Sequence, residues 1–535
     1  MSKISLLDCT LRDGGYINNW QFGNKEIKKI SRRLVKAGID IIEMGFLTDL
    51  PHTKNDSLFG NCEEIDLACP DKGDSLLAAM IALGEKEIDP SSLPSKSDCG
   101  LDIVRITFHK SDVEINRAIS YAKCLMSKGY KVCMQPVGTI AYNDYDLLAL
   151  IEKINNLSPF AFYLVDTLGS LYNADLLRLI YLADNNLSPS IKLGFHSHNN
   201  LQMAFSNAQR IIEHYSDREF IIDCSLYGMG RGAGNLCTEL IAKYTNNIGL
   251  SSYNIASILD AIDNYIYPIF VKNSWGYNAH YYMAAIHKCH PNYASYLMNK
   301  QTLTMNTINL LLQNLPKDKR HIFDKSLIEQ LYLNMQSNII NDDATRDYIA
   351  KSIEGRDVLI LAPGASAEQC KNEINRFIET KNPIVISVNI DFESYNEDFI
   401  FISNNKRMLS FDYDKYNGKI IVTSNLSALN NDFLKVDYKR LCDNDYSEPD
   451  NAGMMLLRLL SSLGLEKAYL AGFDGFSSNN KSNYFTDKMV SLVDDNEAYN
   501  KNLCICKQLK KIKQDMDIEF ITPSIYDRMM RNEEL

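Results

Sequence analysis

The chain has 535 residues, 45% of them hydrophobic and 23% charged, with a formal net charge of −11. That length exceeds a single hydrophobic core and calls for two or three domains, while an acidic balance without a long basic run argues against a nucleic-acid footprint. No apolar stretch reaches the length of a bilayer span, and Met1-Ser2-Lys3-Ile4 leads into a strand without a signal-peptide pattern, so a cytoplasmic protein off the membrane is expected.

The first 250 residues alternate strand and helix. Strand-like runs fall at 4–8, 39–45, 76–81, 103–108, 131–136, 162–166, 192–196 and 220–225. Between them lie amphipathic segments, such as the one that sets Ile27, Ile30 and Leu34 at helical spacing; 174–183 and 201–212 repeat the pattern. Eight β-α beats fit a closed (β/α)8 barrel over 1–250, with an open doubly wound sheet as the alternative. From 251 to 352 the strand signal stops. This reads as a helical extension, rich in aromatics at 279–287, that covers the barrel or forms a subunit interface; a homo-oligomer is expected. Residues 353–535 resume an open, Rossmann-like α/β pattern, with strands at 358–361, 383–389, 400–402, 420–422 and 468–472. Thirteen cysteines are scattered without paired CxxC spacing and read as reduced, mostly core thiols.

The chemistry gathers at strand ends. His196-Ser197-His198 closes one strand, and two histidines at i and i+2 on extended chain point to one side. Arg12-Asp13-Gly14-Gly15 follows another. Two imidazoles with a carboxylate suit a divalent ion that keeps open positions; two histidines satisfied at a strand edge are the plain alternative. A 2-oxo acid can fill those positions while Arg12 faces the developing oxyanion. Glu43 can orient Arg12 by a bidentate pair, or the two can form only a rim salt bridge. Asp13, Glu43, His109, Asp166 and His196 all sit at or after strand ends, which a barrel brings to one mouth. The run Gly228-Met229-Gly230-Arg231-Gly232-Ala233-Gly234-Asn235 can cradle an anion on backbone N–H groups, with Asn235 as either a site residue or a helix cap.

These ordered motifs, with Leu7-Asp8-Cys9-Thr10-Leu11-Arg12-Asp13, Ile42-Glu43-Met44-Gly45 and Val165-Asp166-Thr167-Leu168-Gly169, resemble the DRE-TIM metallolyase superfamily over roughly residues 1–245. The resemblance implies a metal-dependent carbon–carbon lyase. Asp13, His196 and His198 match the metal ligands, and Asn235 matches a further ligand position of the lyase branch. Arg12 matches the enolate-stabilising arginine and Glu43 its partner; Gly14, Gly15, Asp166 and Thr167 are expected on the substrate side. The ion implied is Mn²⁺ or Mg²⁺, with Zn²⁺ or Co²⁺ as the other candidates. The text Val104-Arg105-Ile106-Thr107-Phe108-His109 is similar to the 4-hydroxy-2-oxovalerate aldolase branch, so the substrates expected are a 2-oxo acid and an aldehyde. A Claisen-type synthase using an acyl-CoA and a binding protein with altered catalysis are the competing readings. Tyr16 stands where that branch usually has histidine, which leaves Tyr16 or His109 as the acid/base. The last domain weakly resembles sialyltransferase-like or pterin-diphosphokinase-like Rossmann domains. That implies a nucleotide or nucleotide sugar near Pro363, Gly364 and Ser366, in the turn after its first strand.

Overall fold

A computed structural model describes residues 3–531, apart from 215, 393, 410, 412–419, 427–432, 447, 449, 480–482, 487, 488 and 490–492. The chain forms two compact units, one of 1–295 with 315–323 and one of 296–314 with 324–535. The helices expected between 251 and 352 divide between the two units.

The first unit is a closed parallel barrel. Its strands are β1 (Ile4–Asp8), β2 (Ile41–Leu47), β3 (Leu76–Ala82), β4 (Ile103–Phe108), β5 (Lys131–Pro136), β6 (Ala161–Asp166), β7 (Lys192–Ser197) and β8 (Phe220–Cys224). Each pairs in parallel with its neighbour, and β1 closes the ring by pairing with both β8 and β2. The open-sheet alternative is thereby excluded. A two-residue strand, Leu58–Phe59, adds to the end of β2 and was not foreseen. The strand expected at 39–45 runs on to Leu47 through a register shift between Glu43 and Phe46. Gly45 permits this, because a Cβ there would lie 1.9 Å from the carbonyl oxygen of Ser57. The helix expected at 201–212 begins only at Ala204.

The period of two along each strand sorts the side chains. Leu6, Ile42, Val104, Ile106, Phe195 and Ile222 face the surrounding helices. Leu7, Ile41, Ile103, Cys133 and Ile221 pack with one another inside the barrel. Two residues further along β2, β4 and β8, on the same inward face, stand Glu43, Arg105 and Asp223. The barrel therefore carries an apolar layer capped, toward its C-terminal mouth, by a charged one.

The second unit contains a seven-stranded parallel sheet: β9 (Val358–Leu361), β10 (Ile384–Val388), β11 (Phe399–Ile402), β12 (Ile420–Thr423), β13 (Leu434–Val436), β14 (Lys467–Ala471) and β15 (Asp517–Phe520). Its order is β13-β12-β11-β10-β9-β14-β15, so the winding direction reverses between β9 and β14. β13 and β15 were missed in the sequence; both are edge strands of three or four residues, too short to show a period. Cys62 and Cys99 form a disulfide, which corrects the reading of all thiols as reduced. Among the described residues no helix is long and apolar enough to cross a membrane.

Candidate metal centre at the barrel mouth

Asp13 ends the one-turn helix Thr10–Asp13 that follows β1, His196 lies in β7, and His198 sits just beyond it. An isolated antiparallel bridge between His198 and Asn235 brings the glycine-rich loop against the histidine segment. The result is a buried trio: ligand atoms of Asp13, His196 and His198 all lie within 4.8 Å of one another. Asn235 donates from Nδ2 to Asp13 Oδ2 at 2.6 Å.

The donor set fits a divalent ion. His198 Nδ1 and Asn235 Oδ1 are buried without a hydrogen-bond partner, a costly state that a cation would relieve. Burial pushes the His198 imidazole down to about 3, against the opposing charge of Asp13, so it is neutral as a ligand must be. Burial raises the Asp13 carboxyl, but the Arg12 guanidinium beside it holds it well below the usual range. His196 Nδ1 lies 2.9 Å from Asp223 Oδ2, which turns Nε2 to the trio.

Arg12 is 5% exposed. Its Nε donates to Glu43 Oε2 at 2.9 Å and Nη1 to Asp13 Oδ1 at 2.5 Å, while Trp20 Nε1 donates to its carbonyl at 2.8 Å. Burial alone would lower the guanidinium, but Glu43 and Asp13 keep it charged. Its Nη2 has no protein partner. A fixed, desolvated donor beside the trio is what a developing oxyanion needs.

Two members of this network were missed in the sequence. Arg105 is fully buried; its Nη1 donates to Glu43 Oε2 at 2.6 Å, its Nη2 donates to Asp223 Oδ2, and the guanidinium lies 4.7 Å from the Tyr163 ring centre. The signal was an arginine at an inward position of an otherwise apolar strand, Ile103-Val104-Arg105-Ile106.

The other expected residues divide. Tyr16 and His109 line the same cavity of about 190 Å³ as Arg12 and the trio. Burial raises the Tyr16 phenol, against the opposing pull of Arg231. His109 is anchored to the helix Asp112–Ser127: Glu114 Oε2 accepts its backbone N–H at 2.7 Å and lies 3.2 Å from Nδ1. Thr167 also lines the cavity, and its hydroxyl accepts the Gly138 N–H at 2.8 Å. Asp166 instead accepts the backbone N–H groups of Ser170 and Leu171, at 2.9 and 3.1 Å, and shapes the turn after β6. Gly14 and Gly15 allow close packing: a Cβ would meet the Thr10 carbonyl at 2.3 Å and the Trp20 ring at 2.1 Å respectively. Arg231, His290 and His321 line the cavity as well and were not foreseen as site residues. The latter two come from the helical part of this unit, whose sequence carries no strand-end motif.

In the second unit, Pro363 and Gly364 line a separate cleft of about 180 Å³ at the point where the sheet order reverses. Ser366 does not; its hydroxyl donates to Asp474 and lies 2.9 Å from that of Thr522, tying the turn after β9 to those after β14 and β15.

Residues 3–263 match the HMGL-like family. A 4-hydroxy-2-oxovalerate aldolase of Chloroflexus aurantiacus is 27% identical over 276 residues, covering 50% of this chain and 77% of that protein. An oxaloacetate decarboxylase of Mycobacterium tuberculosis is 28% identical over 259 residues, covering 48% and 74%. A solved HMG-CoA lyase from Brucella melitensis aligns with a TM-score of 0.39 and 14% identity, covering 49% of this chain and 96% of that one.

Proposed function

With residues 3–263 forming an HMGL-like domain, we propose that this chain is a divalent-metal-dependent aldolase that makes and breaks a carbon–carbon bond of a 2-oxo acid through its enolate. The observation that carries this reading is the buried Asp13–His196–His198 trio with the unpartnered Nη2 of Arg12 beside it. A bound ion, Mn²⁺ or Mg²⁺ in the first instance, supplies Lewis-acid charge for the 2-oxo acid. Asp13, His196 and His198 hold it, and Asn235 holds Asp13 and offers Oδ1. Arg12, fixed by Glu43, donates to the enolate oxygen. His109, backed by Glu114, takes the methyl proton of pyruvate. The enolate carbon then attacks the aldehyde carbonyl carbon, and the alkoxide formed takes back the proton held by His109 to give the 4-hydroxy-2-oxo acid. Tyr16, with its phenol raised by burial, serves as a hydrogen-bond donor at the same cavity.

A decarboxylase is the second reading, supported by the similarity to an oxaloacetate decarboxylase. Loss of CO₂ from oxaloacetate leaves the same pyruvate enolate, so the same residues serve both reactions. Solvent deuterium entering the methyl group of pyruvate tests enolate formation. Aldehyde consumption then supports the aldolase, and CO₂ release from oxaloacetate the decarboxylase. Free CoA liberated from an acyl-CoA would point to a synthase, and a metal-loaded protein without exchange to a binding role.

For the second unit the reading is a phosphate-bearing ligand, a nucleotide or nucleotide sugar, in the cleft bordered by Pro363 and Gly364. Ligands of open α/β sheets bind where strand order reverses. A nucleotide-dependent rise in Tm of the full chain tests it.

A further inference from the structure

Arg231 is the residue of the barrel cavity that the enolate chemistry leaves unused. Its neighbour Gly230 runs hard against the metal centre, where a Cβ would lie 2.4 Å from Asn235 Nδ2 and 2.9 Å from Asp13 Oδ2, and a Cβ on Gly232 would lie 2.7 Å from Asn200 Oδ1. Asn200 pins the loop further by accepting the Ala233 N–H at 2.8 Å. The root of Arg231 is therefore fixed one residue from the groups that bear on the ion.

The guanidinium itself has no carboxylate partner among the described residues, whereas Arg12 has two. Its described contact is with the Tyr16 ring, 5.5 Å from the centroid. It lines one cavity with the trio and with His290 and His321 of the helical wall. Burial, and after it the charge of Arg231, push the His290 imidazole down to about 3. On that wall the Asn292 N–H donates to His290 Nδ1 at 3.2 Å, so the neutral ring carries its proton on Nε2 and is a donor. His321 lines the same wall. Glu85 also borders the cavity, but its charge falls on Lys86 and Tyr16.

A half-buried guanidinium held without a counter-charge, in one cavity with the His290 donor, is a receptor for an anion. The metal centre and Arg12 already account for the 2-oxo acid. We infer that the aldehyde partner carries an anion of its own, a carboxylate or a phosphate, that pairs with Arg231. This rests on the aldolase reading, and names its second substrate by class.

The test compares pyruvate condensation with three aldehydes: propanal, succinic semialdehyde and glyceraldehyde 3-phosphate. One anionic aldehyde should exceed propanal in kcat/KM by about 10²-fold, the scale of a desolvated charge pair; which one wins separates carboxylate from phosphate. Arg231→Gln should bring that ratio near one, with propanal turnover as the internal reference, and Arg231→Lys should restore only part of it. In the unaltered protein, inorganic phosphate should compete with the aldehyde and not with pyruvate. Equal rates for all three aldehydes, or a ratio that survives Arg231→Gln, overturns the inference. So does an Arg231→Gln variant whose main defect is a raised KM for pyruvate, which would assign Arg231 to the 2-oxo acid. Absence of pyruvate methyl exchange in the unaltered protein is the distinct result that removes the aldolase reading itself, and this inference with it.

Discussion

Asp223→Asn isolates a part of the site that never touches the ion. Asp223 Oδ2 accepts from His196 Nδ1 at 2.9 Å and from Arg105 Nη2, so one oxygen fixes the imidazole tautomer and balances a buried guanidinium. Asparagine keeps the shape and an acceptor but removes the charge. Carboxylates behind metal-binding histidines are typically worth about 10–100-fold in metal affinity, or about 1.4–2.8 kcal/mol. Arg105 retains Glu43 at 2.6 Å, so it is left half compensated, and the stability loss should stay below the about 3–5 kcal/mol of a broken buried pair. Calorimetric titration with Mn²⁺ measures the first quantity, and denaturant unfolding of the metal-free protein the second. The double variant with His196→Ala tests the route: if Asp223 acts through His196, the two losses in affinity are far from additive. Wild-type Mn²⁺ affinity in Asp223→Asn refutes the orienting role, and additive losses refute the route.

Three further outcomes are expected. His198→Ala should lose bound metal, measured by elemental analysis, and catalysis with it; full metal content in the variant removes His198 from the ligand set. Arg12→Lys should keep the metal but lower kcat by about 10²–10³, since lysine lacks the planar fork and the third donor; a near-unchanged kcat takes Arg12 out of the mechanism. Asp166 supplies a pH signature: burial, outweighing the N–H groups of Ser170 and Leu171, raises its carboxyl from 3.8 to about 7. The folded state keeps a proton that the unfolded chain releases in that window, so this contribution is full below pH 3.8 and is lost as pH rises through 7. The Tm of the unaltered protein relative to Asp166→Asn should therefore fall from pH 4 to pH 7.5, and a flat difference contradicts the assignment.

The barrel was legible because buried parallel strands read as apolar runs and their ends collect polar residues. Asp13, His196 and His198 sit at such ends, and their motifs are local. Arg105 and Asp223 were harder, since each is a single charge inside an apolar run, separated by 118 residues in sequence. Only the closure of β8 and β4 into one ring makes them a pair. Ser366 was assigned to a ligand because it follows a strand, but its hydroxyl is consumed by Asp474 and Thr522, partners that lie over a hundred residues away. The smallness of Gly14 and Gly15 likewise answers partners outside the motif's own spacing, the Thr10 carbonyl and the Trp20 ring. The disulfide between Cys62 and Cys99 had no spacing to announce it.

The charged layer is larger than ion holding requires. Arg12, Glu43, Arg105, Asp223 and His196 form one run of contacts from the guanidinium at the cavity to the histidine of the trio. Stability does not explain it, because well-packed apolar side chains usually replace buried ion pairs without loss. Position does. Glu43 Oε2 is shared by Arg12 and Arg105, and Asp223 Oδ2 by Arg105 and His196, so no member can turn without uncovering its neighbour's charge. The guanidinium proposed to face the oxyanion and the imidazole proposed to hold the ion are thereby set in one frame, which catalysis by fixed charge requires. The apolar layer one step below, with Ile41, Ile103 and Ile221, supplies the dry floor on which those charges hold their strength.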